Sequence, residues 1–369
     1  MISLKDIEKP DEETMKFVVS GCNSSFVNAI RRTILSEVET LGFNIDNYEE
    51  SDLKVIKNSS SLHNEFLLHR IGLIPINVED VDGFNPDNYK FILQKKNNTN
   101  KLIHVTTKDI KVKNLQTDQF EDTLSFFPAN KITGDNILII TLKNNPTGEG
   151  EEINIEGRCS KGCGKDNSRY SPVSCVVFTN RKDPEKAQKA FEEMISGLAE
   201  VPTEQELQIL AKRFDIEESE RHFYLDENGD PDQFDFIIES VGVISPEEIF
   251  KRALKKLVEK LNTFNKNLEH ALDSKESSIS VRESSSVMNG FDITIENENH
   301  TLGFLLQTYI NKLNEDVFVG YMNPHPLQKN IKIRVNFNDS DINTVKDIFD
   351  KTTSYLIGEF NKLMASVME

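Results

Sequence analysis

The chain has 369 residues, 37% of them hydrophobic, and 61 acidic against 43 basic side chains leave a net charge of −18. That length predicts about two to three domains with buried cores. The acidic balance argues against a chain that itself grips nucleic acid, because phosphate contacts need a basic stripe, and it favours partners with basic surfaces or plain solubility.

Asn, Lys and Ile are abundant and Trp is absent, which reads as a bias of the genome and not as function. The opening MISLKDIEKPDEETMKF is charged throughout, so no signal peptide is expected. No apolar run approaches the roughly 18 residues of a membrane span. The expectation is a soluble intracellular protein, with Cys22, Cys159, Cys163 and Cys175 reduced.

In chain order, Lys16 to Ile45 reads as a strand, a polar turn, an amphipathic helix and a second apolar run. Val27, Ile30, Ile34 and Val38 recur at helical spacing over Ser25 to Glu39. Gly21 marks the turn, and Asn23 or Ser24 can cap the helix. Arg31 and Arg32 interrupt the stripe and must point away from the main core.

Strand-like runs follow at Lys90–Leu93, Leu102–Thr106, Ile137–Leu142, Glu152–Gly157 and Cys175–Phe178, separated by Asn, Lys and Gly loops. They predict a mainly β insert, followed by a helical stretch over Asp183–Phe214. Phe234 to Ser245 reads as a strand rejoining the first unit. A long amphipathic helix, Ser245–His270, comes next, opened by Pro246, Glu247 and Glu248. Asp273 to Val287 is Ser-rich and reads as a flexible linker.

Phe291 to Pro326 then repeats the opening pattern. Leu302, Leu305, Leu306, Tyr309, Ile310 and Leu313 form a clean helical stripe, with Asn299 or Thr301 as the cap. Burying six such side chains at about 1.5–3 kcal/mol each gives on the order of 10 kcal/mol gross. A helix this short needs a partner surface. A further helix, Asp341–Met364, uses Ile342, Val345, Phe349, Leu356 and Leu363. Two like units in one chain suggest two like surfaces packed together, which points to scaffolding before catalysis.

Four motifs invite chemistry. Gly162-Cys163-Gly164-Lys165 fails as a phosphate loop, because Cys159 and Asp166 stand where Gly and Ser/Thr are needed, so a glycine turn is expected. Cys159, Cys163 and Cys175 lack the C-x₂-C pairs of a zinc site and read as structural or free thiols. Asp226 to Pro231 departs from a calcium loop at Pro231 and reads as a turn. His222, His300 and His325 have no nucleophile or acid at triad spacing. His325 should fix a tight turn and His300 should help to start a helix.

FVNAIRRTILSEVETLGFNI, NEFLLHRIGLIPI, GRCSKGCGKDNSRYSPV and FDFIIESVGVISPEEIFKRALKKL occur in that order. Together they resemble the α-type assembly subunits of cellular RNA polymerases: the bacterial α amino-terminal domain, the archaeal D subunit and the third-largest subunit of eukaryotic RNA polymerase II. NHTLGFLLQTYINKLNEDVFVGYMNPHP resembles the small archaeal partner subunit L. The chain is similar to a fusion of both halves of the assembly heterodimer, an arrangement that suggests a large DNA virus.

The resemblance implies an α+β fold: two related dimerisation units, each an antiparallel sheet with amphipathic helices, forming an intramolecular pseudo-dimer, with a mainly β insert in the first. The expected divisions are 1–50 with 233–272 for the D-like unit, 51–232 for the insert, 273–287 for the linker and 288–369 for the L-like unit. Val27, Ile30, Ile34, Leu254, Leu257, Leu302, Leu305, Leu306, Tyr309 and Phe349 are the expected dimer core.

The resemblance also implies a non-catalytic platform with no cofactor of its own. Its partners would be the largest and second-largest polymerase subunits and a small zinc-ribbon-type subunit, with DNA reached only through the complex. Arg31, Arg32, Leu35 and Arg70 are the implied docking residues, since a guanidinium pairs well with carboxylates and carbonyls. Nucleotidyl transfer and its magnesium would belong to the large chains. The rival reading is a free-standing dimerisation or regulatory module, which has no reason to carry both sets of motifs.

Overall fold

The computed structural model describes residues 2–367 apart from 48, 145–148, 199–201, 274, 285–286 and 339–340. The chain begins with β1 (Ser3–Glu8), β2 (Thr14–Ser20), α1 (Ser24–Glu37) and β3 (Glu39–Gly42). Next come β4 (Leu53–Asn58), α2 (Asn64–Gly72), β5 (Tyr89–Lys96), β6 (Ile103–Thr106), β7 (Ile110–Asn114), β8 (Phe120–Glu121) and α3 (Thr123–Phe126). They are followed by β9 (Leu138–Leu142), β10 (Glu152–Gly157), β11 (Ser160–Cys163), β12 (Val173–Asn180), α4 (Pro184–Ser196), α5 (Glu204–Glu217), β13 (Gln233–Ser240) and α6 (Pro246–Leu272). The last stretch holds β14 (Ile279–Glu283), β15 (Gly290–Glu296), α7 (His300–Leu313), β16 (Phe318–Met322), β17 (Asn330–Asn336) and α8 (Ile342–Ser366).

These elements form two compact units. One comprises residues 1–33, 175–238 and 250–369, and the other 34–174 and 239–249. The first unit holds two four-stranded sheets, in the orders β1-β2-β13-β12 and β14-β15-β17-β16. β1 pairs antiparallel with β2, and β14 pairs antiparallel with β15. Each sheet therefore starts with an edge strand and its antiparallel neighbour, followed in the chain by a short helix, α1 or α7. Each unit of the repeat closes with a long helix, α6 or α8.

This repeat is one strand longer than the sequence suggests, and the Ser-rich segment must be corrected accordingly. Residues 273–287 are not a simple tether. Ile279–Glu283 form β14, in register with β15 from Ile279 opposite Ile295 to Glu283 opposite Phe291. Ile279 is buried and Val281 half-buried, while Ser280 and Arg282 face out, the alternation of a strand with one wet face. Part of the proposed linker (274, 285 and 286) lies outside the described residues.

The insert also ends earlier than 232. β12 leaves it to join the first sheet, and the Phe178 ring meets Phe234 at 5.6 Å and Phe236 at 6.3 Å. The expected single helical stretch over 183–214 is broken into α4 and α5, with Gly197 at the end of α4. Asp183 caps α4, and a reciprocal Thr203–Glu206 capping box opens α5.

The second unit is built on a five-stranded sheet, β4-β10-β5-β7-β8, and two ribbons, β3 with β11 and β6 with β9. Phe91, Leu93, Val112, Ile153 and Ile155 bury one face of the large sheet. Among the described residues, no helix is long and apolar enough to cross a membrane.

Candidate assembly interface

The helices of the two repeats meet inside the first unit. Phe26 of α1 stacks on Phe360 of α8 at 4.6 Å between centroids and lies 6.1 Å from Tyr309 of α7. Six residues further along α1, the Arg32 Nε donates to Thr301 Oγ1 at 2.7 Å. Residue numbers rise on α1 as they fall on α7, so the two short helices run antiparallel.

The long helices do the same. Phe264 meets Phe349 at 5.3 Å, Asn265 Nδ2 donates to Thr353 Oγ1 at 2.8 Å, and Lys346 Nζ donates to Glu269 at 2.8 Å. Antiparallel contacts between corresponding helices are what a pseudo-two-fold axis crossing those helices produces.

Val27, Ile30, Ile34, Leu254, Leu257, Leu302, Leu305, Leu306, Tyr309 and Phe349 are all buried. Sequence reasoning missed the residues that join the repeats most visibly. Neither Phe26 nor Phe360 belongs to the expected dimer core. Glu359, nearly buried on α8, accepts the Ile2 backbone N–H at 3.1 Å and so ties the second repeat to the entry of β1. A buried carboxylate needs such donors, and Lys362 supplies another.

The glycines of both repeats admit aromatic rings. A Cβ on Gly303 would stand 2.6 Å from the Tyr321 ring, which links the H-T-L-G helix start to the following GY pair. His300 packs edge-on against the same ring. In the second unit, a Cβ on Gly42 or Gly162 would strike Tyr170 at 2.8 or 2.6 Å. Opposite pairing of Ser160 with Gly42 and Gly162 with Thr40 puts all four on one ribbon face, under that ring. The Tyr170 hydroxyl lies 2.9 Å from Ser160 Oγ, and its carbonyl accepts from Thr40 Oγ1.

The glycine turn after β11 serves the end of α1. The Lys165 N–H donates to the Ser36 carbonyl at 3.0 Å, and a Cβ on Gly164 would lie 2.0 Å from the Leu35 carbonyl oxygen. The turn thus satisfies an orphan carbonyl of the last helical turn.

The implied docking residues are placed as follows. Arg31 is half-buried and donates twice to Asn28 Oδ1, at 3.1 and 2.9 Å. Burial, and then the neighbouring Arg32 charge, lower its pKa. Arg32 is half-buried and reaches the second repeat, as described. Leu35 is half-buried. Arg70 is exposed, but its guanidinium holds the carbonyls of Ile139 and Leu138 on β9, both at 2.9 Å. Arg32 and Arg70 thus have internal structural partners that the sequence did not suggest.

Burial pushes the Cys22 and Cys159 thiols up to about 12. Cys163 is half-buried and donates to Asp166 at 2.9 Å; burial, then that contact, raises its pKa. Among the described residues, no group of three or more His, Cys, Asp or Glu side chains is placed to hold a metal ion.

Residues 16–261 match the RNA polymerase Rpb3/Rpb11 dimerisation domain, and residues 291–366 match a second model of the same description. The chain belongs to the Rpb3/Rpb11 dimerisation-domain family. It is similar to subunit Rpo3 of the DNA-directed RNA polymerase of Thermococcus kodakarensis, at 29% identity over 300 residues, covering 74% of this chain and 100% of that one. It is also similar to subunit RPAC1 of the DNA-directed RNA polymerases I and III of Mus musculus, at 26% identity over 302 residues, 72% of this chain and 84% of the relative. A conjugation stage-specific protein of Tetrahymena thermophila is 26% identical over 301 residues, 70% of this chain and 93% of its own length. The two Rpb3/Rpb11 matches carry the two halves of the repeat: β2 to the middle of α6, and β15 to α8.

Proposed function

We propose that this chain is a non-catalytic assembly subunit of a DNA-directed RNA polymerase, carrying both halves of a dimerisation platform in one polypeptide. The observation that carries the reading is the antiparallel meeting of α1 with α7 and α6 with α8, on a chain with two family matches. The Thermococcus subunit finds its full length within 74% of this chain, which leaves room for a second, fused partner. The fused arrangement and the Asn-, Lys- and Ile-rich composition fit a large DNA virus, with the protein acting in the cytoplasm or virion; a nuclear location is the alternative.

The platform would dock the largest and second-largest polymerase subunits and a small zinc-ribbon-type subunit, meeting DNA only through them. Arg31 and Leu35, half-exposed on α1, remain the best placed of the docking residues. Burial of the Cys22 and Cys159 thiols suits packing, and no cofactor is assigned to this chain.

The test is to purify the tagged full-length chain from its source and identify what accompanies it. Two large polymerase subunits in equal amounts would support the proposal. Recovery of the chain alone, or with proteins outside transcription, would overturn it.

A further inference from the structure

The five-stranded sheet of the second unit has an open face whose charge runs against that of the chain. β10 pairs Glu156 with Lys54 on one side and Ile92 on the other, and Ile92 pairs with Lys111. These four residues form one row across β4, β10, β5 and β7. Neighbouring rows add Lys57, Lys90, Lys96 and Lys113, with Glu152 as the other acid. Every one of these side chains is exposed or half-exposed, so the described residues leave the face open. Six lysines against two glutamates make it positive in a chain whose net charge is −18.

Four of the lysines have surface ion pairs: Lys57 with Glu152, Lys90 with Glu156, Lys96 with Glu149 and Lys113 with Asp118. Exposed pairs of this kind are weak and exchange readily. Lys54 and Lys111 have no ion-pair partner among the described residues. The face also carries apolar groups. A register shift in β4 leaves Ile56 56% exposed beside Lys57, and Phe120, opposite Lys113, is 61% exposed. Bulges commonly re-aim a side chain in this way.

We propose that this sheet face docks an extended acidic segment of a partner protein that carries aliphatic or aromatic side chains. The row geometry sets its spacing. Lys54 and Lys111 stand three strand steps apart, about 14 Å. An extended peptide crossing the strands advances about 3.4 Å per residue, so acids at positions i and i+4 sit over the two lysines. The side chain at i+2 points to the same face and falls midway along the row, between Glu156 and Ile92 and within about 3 Å of each, so an apolar side chain there can lean onto Ile92. Nucleic acid fits less well: the centre of the face offers no aromatic plane for base stacking, and Glu152 and Glu156 lie among the lysines. The proposal is independent of the polymerase reading.

The test uses the purified full-length chain and a fluorescein-labelled peptide with acids at i and i+4 and leucine at i+2. Its controls are the same peptide with lysine for each acid and an unlabelled single-stranded DNA. Saturable anisotropy binding is expected for the acidic peptide alone, weakening as salt screens the charges. Lys54→Glu with Lys111→Glu should weaken it at least tenfold with the circular dichroism unchanged; Lys54→Ala with Lys111→Ala serves if the first pair fails to fold. Ile92→Ser should weaken it several-fold at constant salt dependence. Unchanged binding in the lysine variants, absence of saturable binding, or displacement of the peptide by DNA would overturn the proposal.

Discussion

Arg32 shows how a single side chain can change its meaning between sequence and structure. By resemblance it belongs to a docking surface, yet its guanidinium bonds to Thr301 of the other repeat. A hydrogen bond to a charged group contributes about 1.5–3 kcal/mol when well formed, and half-burial puts this one at the lower end. Arg32→Ala should therefore lower the melting temperature measurably, and Thr301→Val should do the same. The double variant should cost less than the sum, because both remove one bond. Strict additivity in a double-mutant cycle would show that the contact contributes nothing.

Two glycines make a matched comparison at the same scale. Gly303→Ala drives a methyl group into the Tyr321 ring, whereas Gly320→Ala meets nothing within 4 Å. Overpacking of that kind costs about 1–3 kcal/mol, so the first should melt earlier and the second should be close to neutral. Equal melting curves would mean that Tyr321 moves aside freely.

Among elements, β14 carries the clearest lesson. The alternation of Ile279 and Val281 was visible in the sequence, but serines on both sides outweighed it. A pattern of two apolar residues is too short to compete with composition, and pairing with β15 decides the outcome. The long helices were legible because their apolar stripes extend over many turns. The insert was legible only as β, since its sheet order depends on non-local pairing. Amide hydrogen exchange should find Ile279–Glu283 protected well above the serines before it. Exchange at the unprotected rate would return the segment to a tether.

The neighbouring β15–β17 pair should give a pH signature. Asp292 lies opposite Arg334, and its carboxyl is held below its usual range by Arg334 first and then by Lys332, against burial. A depressed folded pKa contributes stability above the unfolded value near 4, and that contribution is lost as pH falls through the folded value. Between neutral pH and about pH 2, the wild type should lose more stability than Asp292→Asn. Parallel pH curves would show that the ion pairs are too solvated to matter.

For the molecule as a whole, the site was legible as two like surfaces but not as a set of contacts. Helical periodicity says which residues are buried. It does not say which helix faces which, so Phe26 against Phe360 and Glu359 against Ile2 could only come from the fold. The same contacts change where the chain can be divided. A break at Lys275–Glu276 falls between α6 and β14, and leaves each repeat with all its strands. A break just after Glu283 gives β14 to the wrong fragment and strips an edge strand from the second sheet. Co-expressed fragments from the first division should associate, because the helical core needs no covalent join. Dilution should separate them sooner than the intact chain unfolds, since the join supplies an effective concentration of about millimolar. Fragments from the second division should associate more weakly or precipitate. Leu306→Asp, an unpaired charge in a fully buried position, should abolish association in either case, at a cost of several kcal/mol. Co-purification of that variant at wild-type yield, or equal association from the two divisions, would mean that the two repeats are not held by this core.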